Sequence, residues 1–278
     1  MARLSATRRR DGFVLHMVIV PLALIWLFPL WIMMVYSTFP DSGIFNPGVN
    51  LIPSTRFANN LTILQEETGF IRTVINSFVV AAVYMVLSVF LTSMAGWALA
   101  RYRFFGRRIV TFLVLGTMSL PYLVVVIPQF VMVARDFGLA NTWFALIVPP
   151  LFNSLGVLFM RQAFKMMPNE LFDAARVDGA SEWKIFFFVA LPIAKPTIAA
   201  LSIILFLASW NNYLWPLLIN TKADMMTGPV ALGSLIGTTH VSWGGIMAGS
   251  VTLTLPMLVL FVLLQRYFIS GITAGSIK

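Results

Sequence analysis

The sequence predicts an all-α, polytopic membrane protein of six transmembrane helices. Three observations carry this reading: an apolar composition, six long windows without ionised side chains, and basic residues gathered at alternate connections. Of the 278 residues, 59% are hydrophobic and only 10% are charged, and the mean hydropathy is +0.88. A soluble domain carries about 25% charged residues. The chain has room for six spans of about 20 residues and their connections, with no separate catalytic domain beside them.

The windows run over 12–36, 74–100, 109–133, 143–160, 196–219 and 245–265. In hydrocarbon every backbone N–H and C=O must be bonded internally, so these segments are helices. A β-barrel would need short segments of alternating polarity, which these are not. The first window follows Arg3, Arg8, Arg9 and Arg10, like the basic start of a secretory signal. It is longer than a signal's apolar core and no small-x-small cleavage site follows, so it reads as a retained helix.

The second base cluster is Arg101, Arg103, Arg107 and Arg108. The third is Arg161, Lys165, Arg176, Lys184 and Lys195, and Arg266 and Lys278 close the chain. Fifteen of the nineteen bases therefore fall on one side of a six-span topology, while the ten acids divide evenly. The positive-inside rule makes that side cytoplasmic and places both termini there. The net charge of +9 thus reports topology and not a nucleic-acid-binding face. No cysteine is present, which excludes thiol chemistry.

The expected organisation is a cytoplasmic N-terminal segment at 1–11, a first transmembrane helix at 12–36 and a periplasmic connection at 37–73. A core transmembrane domain of five helices follows at 74–267, with a cytoplasmic loop at 165–195 and a cytoplasmic tail at 268–278. Pro121, Pro128, Pro149, Pro150, Pro216 and Pro256 interrupt the spans, for the most part as packing kinks.

The most informative segment is Pro168–Pro196, which mixes acids, bases and apolar residues between two spans. It predicts two short helices. Asn169 caps the first, with Glu170 and Asp173 in its opening turns, and Gly179 ends it. Ser181 caps the second, with Glu182 in its first turn, and Pro192 marks the return to the membrane. Leu171, Phe172, Ala174, Ala175 and Val177 are expected to face a protein partner, or else the lipid surface.

Asp173-Ala174-Ala175, three residues, Gly179, nine residues and then Val189-Ala190-Leu191-Pro192 resemble the EAA loop of binding-protein-dependent ATP-binding-cassette (ABC) importer permeases. Asp173 stands where that family has Glu, and Val189 where it has Ile. Further fragments resemble the maltose-type, carbohydrate-uptake branch: Asn76-Ser77, Ala100-Arg101-Tyr102-Arg103-Phe104 with Gly106, Trp210-Asn211-Asn212-Tyr213 with Pro216, and Gln265-Arg266 with Gly271, Gly275 and Lys278.

The resemblance implies a type I importer permease fold in a bacterial inner membrane and alternating access. It implies a second, related permease subunit in a heterodimer, two ATP-binding subunits and a periplasmic or lipid-anchored solute-binding protein. The chain would bind no cofactor itself, with ATP and Mg on the partner subunit, and would have no enzymatic activity of its own. Glu170, Asp173, Ala174, Ala175, Asp178, Gly179 and Ala180 would couple it to that subunit.

The chain has no G-x-x-x-x-G-K-[ST] phosphate loop, so a partner must bind any nucleotide. The windows hold no Asp, Glu, Lys or Arg, which disfavours ion-coupled transport. His16, on an apolar helix, reads as a packed or interfacial residue and not as a proton relay. For a neutral sugar the candidate pathway is Trp210, Asn211, Asn212, Tyr213 and Trp215, joined by Gln129, Tyr122 and Asn153. Amides both donate and accept, and flat rings meet the C–H faces of a sugar. Interhelical amide bonds and an interfacial aromatic belt account for the same residues as well. A polyol or a glycerol-phosphate compound is the alternative solute. Outer contacts to a binding protein would come from 37–70 and 220–244, including Thr238, Thr239 and His240.

Overall fold

The computed structural model describes residues 2–237 and 241–273, with side chains over 15–236, 241–263 and 265. Thr238, Thr239, His240, Gly275 and Lys278 lie outside the described residues, and so does the end of the expected tail. Every regular element among the described residues is helical. The chain divides into two compact units, one of residues 1–68 with 234–254 and one of residues 69–233 with 255–278.

The first unit opens with α1 (Ala2–Tyr36), which begins well before the expected residue 12. A one-turn helix α2 (Asp41–Ile44) and α3 (Phe57–Thr68) follow. Buried Asn60 on α3 donates to the carbonyls of Ser37 (2.8 Å) and Phe39 (2.9 Å), so it satisfies the backbone groups left free where α1 ends. The Asp41 carboxylate accepts from Gly244 N at 2.7 Å, at the positive end of the chain's last helix. A Cβ on Gly244 would stand 2.7 Å from Asn60 Nδ2 and 2.8 Å from the Phe39 carbonyl, so this junction needs glycine.

The second unit is built on α4 (Phe70–Arg101). Its buried face carries Thr73, Asn76, Ser77, Ser88, Thr92 and Ser93, whereas Ile71, Ile75, Phe78, Val86, Phe90 and Leu91 are exposed. Polar residues inside and apolar residues outside are the arrangement a lipid solvent selects. All of these polar side chains except Ser93 hydrogen-bond within the chain. Asn76 Nδ2 donates to the carbonyls of Asp224 and Met226, and Ser77 Oγ accepts from Gly228 N.

After α5 (Arg107–Met118), α6 (Tyr122–Phe130) and α7 (Trp143–Ile147) comes α8 (Ser154–Met166), which packs closely on α4. A Cβ on Gly96 would meet Arg161 N at 2.7 Å and Met160 Cβ at 2.8 Å, and one on Gly156 would meet Thr92 Cγ2 at 2.9 Å. Small residues let the two backbones approach.

Next are α9 (Asn169–Val177), α10 (Glu182–Ile185) and the one-turn α11 (Leu191–Ile193). The unit continues with α12 (Lys195–Trp210), α13 (Leu214–Ile219) and α14 (Gly228–Ser234), and α15 (Trp243–Thr273) closes the chain.

Among the described residues three helices are long and apolar enough to cross a membrane: Leu15–Tyr36, Phe70–Arg101 and Trp243–Leu263. Three bent pairs pass the same test: Arg107–Met118 with Tyr122–Asp136 (97°), Trp143–Leu151 with Ser154–Met166 (49°), and Glu182–Ile193 with Lys195–Trp210 (79°). By length and composition the described residues hold three spans, or up to six when each bent pair counts as one; in the last pair Glu182–Ile193 lies within the 165–195 loop, and Lys195–Trp210 is the apolar half.

Three of the expected windows are broken into separate helices. The third turns at Ser119–Pro121 and the fourth at Phe152–Asn153, beyond Pro149 and Pro150. The fifth, 196–219, stops at Trp210 and resumes at Leu214. Pro216 has no N–H, and in a continuous helix its ring would strike the Asn212 carbonyl. Pro128 and Pro256 stay inside helices, so the proline kinks fall into two classes.

Candidate functional site

The 168–196 loop folds onto the ends of α4 and α8 through a buried aromatic cluster. Trp97 on α4 meets Phe164 on α8 edge to face at 5.3 Å and Phe172 on α9 at 5.1 Å, while Phe186 packs 6.0 Å from Trp97. Phe172 is 1% exposed. It faces inward, contrary to the expectation that it would meet a partner, because the aromatic well beneath α9 offers it more apolar contact than a surface does. Ala175 packs on the same side. The outward face is Leu171, Ala174 and Val177, with Val177 88% exposed.

Asn169 does not cap α9. The cap position is Pro168 and makes no side-chain bond, while Asn169 Oδ1 accepts from Arg101. The other end is as expected. Gly179 has φ +81°, Gly179 N donates to the Arg176 carbonyl and Ala180 N to the Ala175 carbonyl, each at 3.0 Å. This pair of bonds is a Schellman closure, which needs a left-handed residue after the helix. Ser181 Oγ caps α10 through Lys184 N at 3.5 Å.

The charges of the loop face one another. Arg176 pairs with Asp173 at 2.8 Å and with Glu182 at 2.8 Å, and Tyr102 Oη donates to Glu182 Oε2 at 2.9 Å. The hydrogen bond from Arg176 holds the Glu182 carboxyl below its usual range, and the same bond raises Arg176. Burial pushes the Tyr102 phenol up, so it remains a donor at neutral pH. Glu170, Asp173, Ala174, Asp178 and Gly179 are exposed, with Ala180 half-buried.

A second feature lies away from the loop, beside the middle of α4 and the start of α8. A cavity of about 560 Å³ opens beside the breaks described above. Tyr122, Gln129, Asn153, Asn212 and Trp215 line it, together with Tyr84, Thr117, Ser154 and Ser209, and among the described residues no Asp, Glu, Lys, Arg or His stands in its wall. Several of these groups also hold the frame. Asn153 Oδ1 accepts from Gly156 N at 2.8 Å, and Trp215 Nε1 donates to the Ala145 carbonyl at 2.9 Å.

Residues 88–274 match the family described as binding-protein-dependent transport system inner membrane components. The chain belongs to this family.

Among curated relatives, the arabinooligosaccharides transport system permease protein AraQ of Halalkalibacterium halodurans is 38% identical over 92% of this chain and 93% of its own. The lactose transport system permease protein LacG of Rhizobium radiobacter is 32% identical over 98% of each. The sn-glycerol-3-phosphate transport system permease protein UgpE of Yersinia pestis is 30% identical over 95% of this chain and 97% of its own. A crystal structure of a bacterial ABC transporter that imports the acidic polysaccharide alginate contains a chain with the same fold. Its TM-score is 0.78 at 23% identity, covering 94% of this chain and 98% of that one.

In this permease the sequence-predicted pathway residues separate into two groups. Tyr122, Gln129, Asn153, Asn212 and Trp215 converge on the cavity, while Trp210, Asn211 and Tyr213 do not line it. Trp210 is 1% exposed and stacks on Phe206 at 5.6 Å, so its ring belongs to the packing of α12. Tyr84 is a cavity residue that sequence reasoning passed over, and Arg101 and Tyr102, singled out in the sequence only within a resembling fragment, are anchors of the loop. All three stand inside or at the end of an apolar run, where periodicity reports the helix but not which neighbour a side chain meets.

Proposed function

We propose that this chain is one half of the translocation pore of an ATP-driven importer of neutral carbohydrate. The observation that carries the reading is 30–38% identity, over more than nine-tenths of the chain, to permeases named for arabinooligosaccharides, lactose and sn-glycerol-3-phosphate. The uncharged cavity favours a sugar among these. Its amides and hydroxyls both donate and accept, its rings supply flat apolar faces, and it offers no cation to a phosphate.

In this reading both termini and the 165–195 loop are cytoplasmic, and 37–73 is periplasmic. A related permease completes the pore, and two ATP-binding subunits, which hold ATP and Mg, receive the loop. A periplasmic or lipid-anchored binding protein delivers the solute. The exposed stripe of Leu171, Ala174 and Val177 enters a groove of the ATP-binding subunit, with Glu170 and Asp178 at its margin. Closure of the ATP-binding pair draws the loops together and opens the pore outward, and hydrolysis returns it inward.

The test is ATP-dependent uptake by the assembled transporter in proteoliposomes, offered radiolabelled arabinotriose, lactose and sn-glycerol-3-phosphate. Saturable sugar uptake with no phosphate-ester uptake is expected. Uptake of glycerol phosphate alone would establish the alternative solute, and uptake without ATP would overturn the importer reading.

A further inference from the structure

The Arg101 guanidinium occupies a place that pore formation alone does not require. It stands at the last residue of α4 and donates to the carbonyls of Phe164 and Met167, where α8 ends, and to Asn169 Oδ1, where α9 begins. Its Cζ lies over the Phe172 ring, 4.3 Å from the centroid, and over the Trp97 ring at 5.8 Å. A single side chain thus ties three helix ends together, and its next neighbour Tyr102 holds Glu182 beyond the far end of α9. The opposite half of α4 reaches the cavity through Tyr84 and Val80. At 1.5 Å per residue, Arg101 and Tyr84 are about 25 Å apart along one unbroken helix.

We infer that Arg101 is a positioning residue of transport, a clamp that makes α9 and α4 move as one body and so carries displacement of the loop to the cavity wall. The inference rests on the proposed coupling role of the loop. Its chemical requirement is the planar fork. Arginine serves several acceptors while stacking on a ring, whereas a lysine ammonium is a point charge that cannot do both. Coupling through a rigid element needs no other contiguous route between loop and cavity.

The experiment uses the assembled transporter in proteoliposomes with radiolabelled lactose and arabinotriose. Arg101→Gln is expected to assemble and to hydrolyse ATP, while sugar moved per ATP falls at least about tenfold, a coupling loss of about 1.4 kcal/mol. Arg101→Lys recovers only part of it. Unchanged sugar per ATP in Arg101→Gln overturns the inference, and so does a fall in assembly that accounts for all the lost uptake in both variants. A second readout is independent of the solute. The chain has no native cysteine, so, once any cysteines of the partner subunits are replaced, a nitroxide on Val177→Cys reports α9 and its seat in the complex. Its mobility should rise when Arg101→Gln is added, even if neither sugar is the solute, and unchanged mobility also overturns the clamp.

Discussion

At Gly179 the backbone, and not the space around it, sets the residue requirement. A Cβ there would meet nothing within 4 Å in this chain, yet φ is +81°. Its requirement is therefore conformational, and a left-handed β-branched residue costs roughly 1–2 kcal/mol. Asn tolerates this region better than Val. Gly179→Asn should keep most of the thermal stability of the purified complex, and Gly179→Val should lower it by several degrees. Equal melting temperatures for the two would show that the Schellman closure is not what holds the loop.

Glu182 gives a pH dependence of known sign. Its folded pKa is lowered, chiefly by the bond from Arg176, so its contribution is present above the ordinary glutamate pKa of about 4.3 and is lost as pH falls through the folded value. The melting temperature of the unsubstituted chain should exceed that of Glu182→Gln at pH 7. The two should converge as pH falls below the ordinary glutamate range and through the lowered folded value. A gap that stays constant across this range would remove the carboxylate from the account.

At the scale of the element, the crossing of α4 and α8 depends on the absence of side chains. At Gly96 the obstructing atoms include the Arg161 backbone, which cannot move aside as the end of a side chain can. Gly96→Val should destabilise the permease by about 1–3 kcal/mol, read as a fall in its denaturation midpoint. Gly116, on α5, has open space beside its Cβ position. Gly116→Val is the control and should change little. Bent helices are the second lesson at this scale. The breaks at Pro121 and at Asn211–Tyr213 give the cavity its walls, because a turned chain exposes amide and hydroxyl groups that a straight apolar helix would bury.

At the scale of the whole molecule, the composition and the inside-out polarity of α4 make this a membrane protein, and the positive-inside rule predicts the orientation proposed above. With no native cysteine, single substitutions can be labelled without background. In intact cells with a permeabilised outer membrane, a membrane-impermeant maleimide should label Ile52→Cys. Asp178→Cys should be labelled only after lysis. The reverse pattern would invert the topology.

Composition, the apolar windows and the loop spacing were enough to read an all-helical membrane chain, its family and the turn at Gly179. Those features depend on local chemistry: hydration of the backbone, the period of a helix, and a φ that only some residues adopt. The inward turn of Phe172, the loss of Asn169 as a cap and the separation of Trp210 from Trp215 were decided by tertiary structure. In each case the deciding partner, Trp97, Arg101 or the cavity wall, is remote in sequence or across a helix break. Periodicity identifies the face of a helix, but only packing determines whether that face meets lipid, a cavity or another helix.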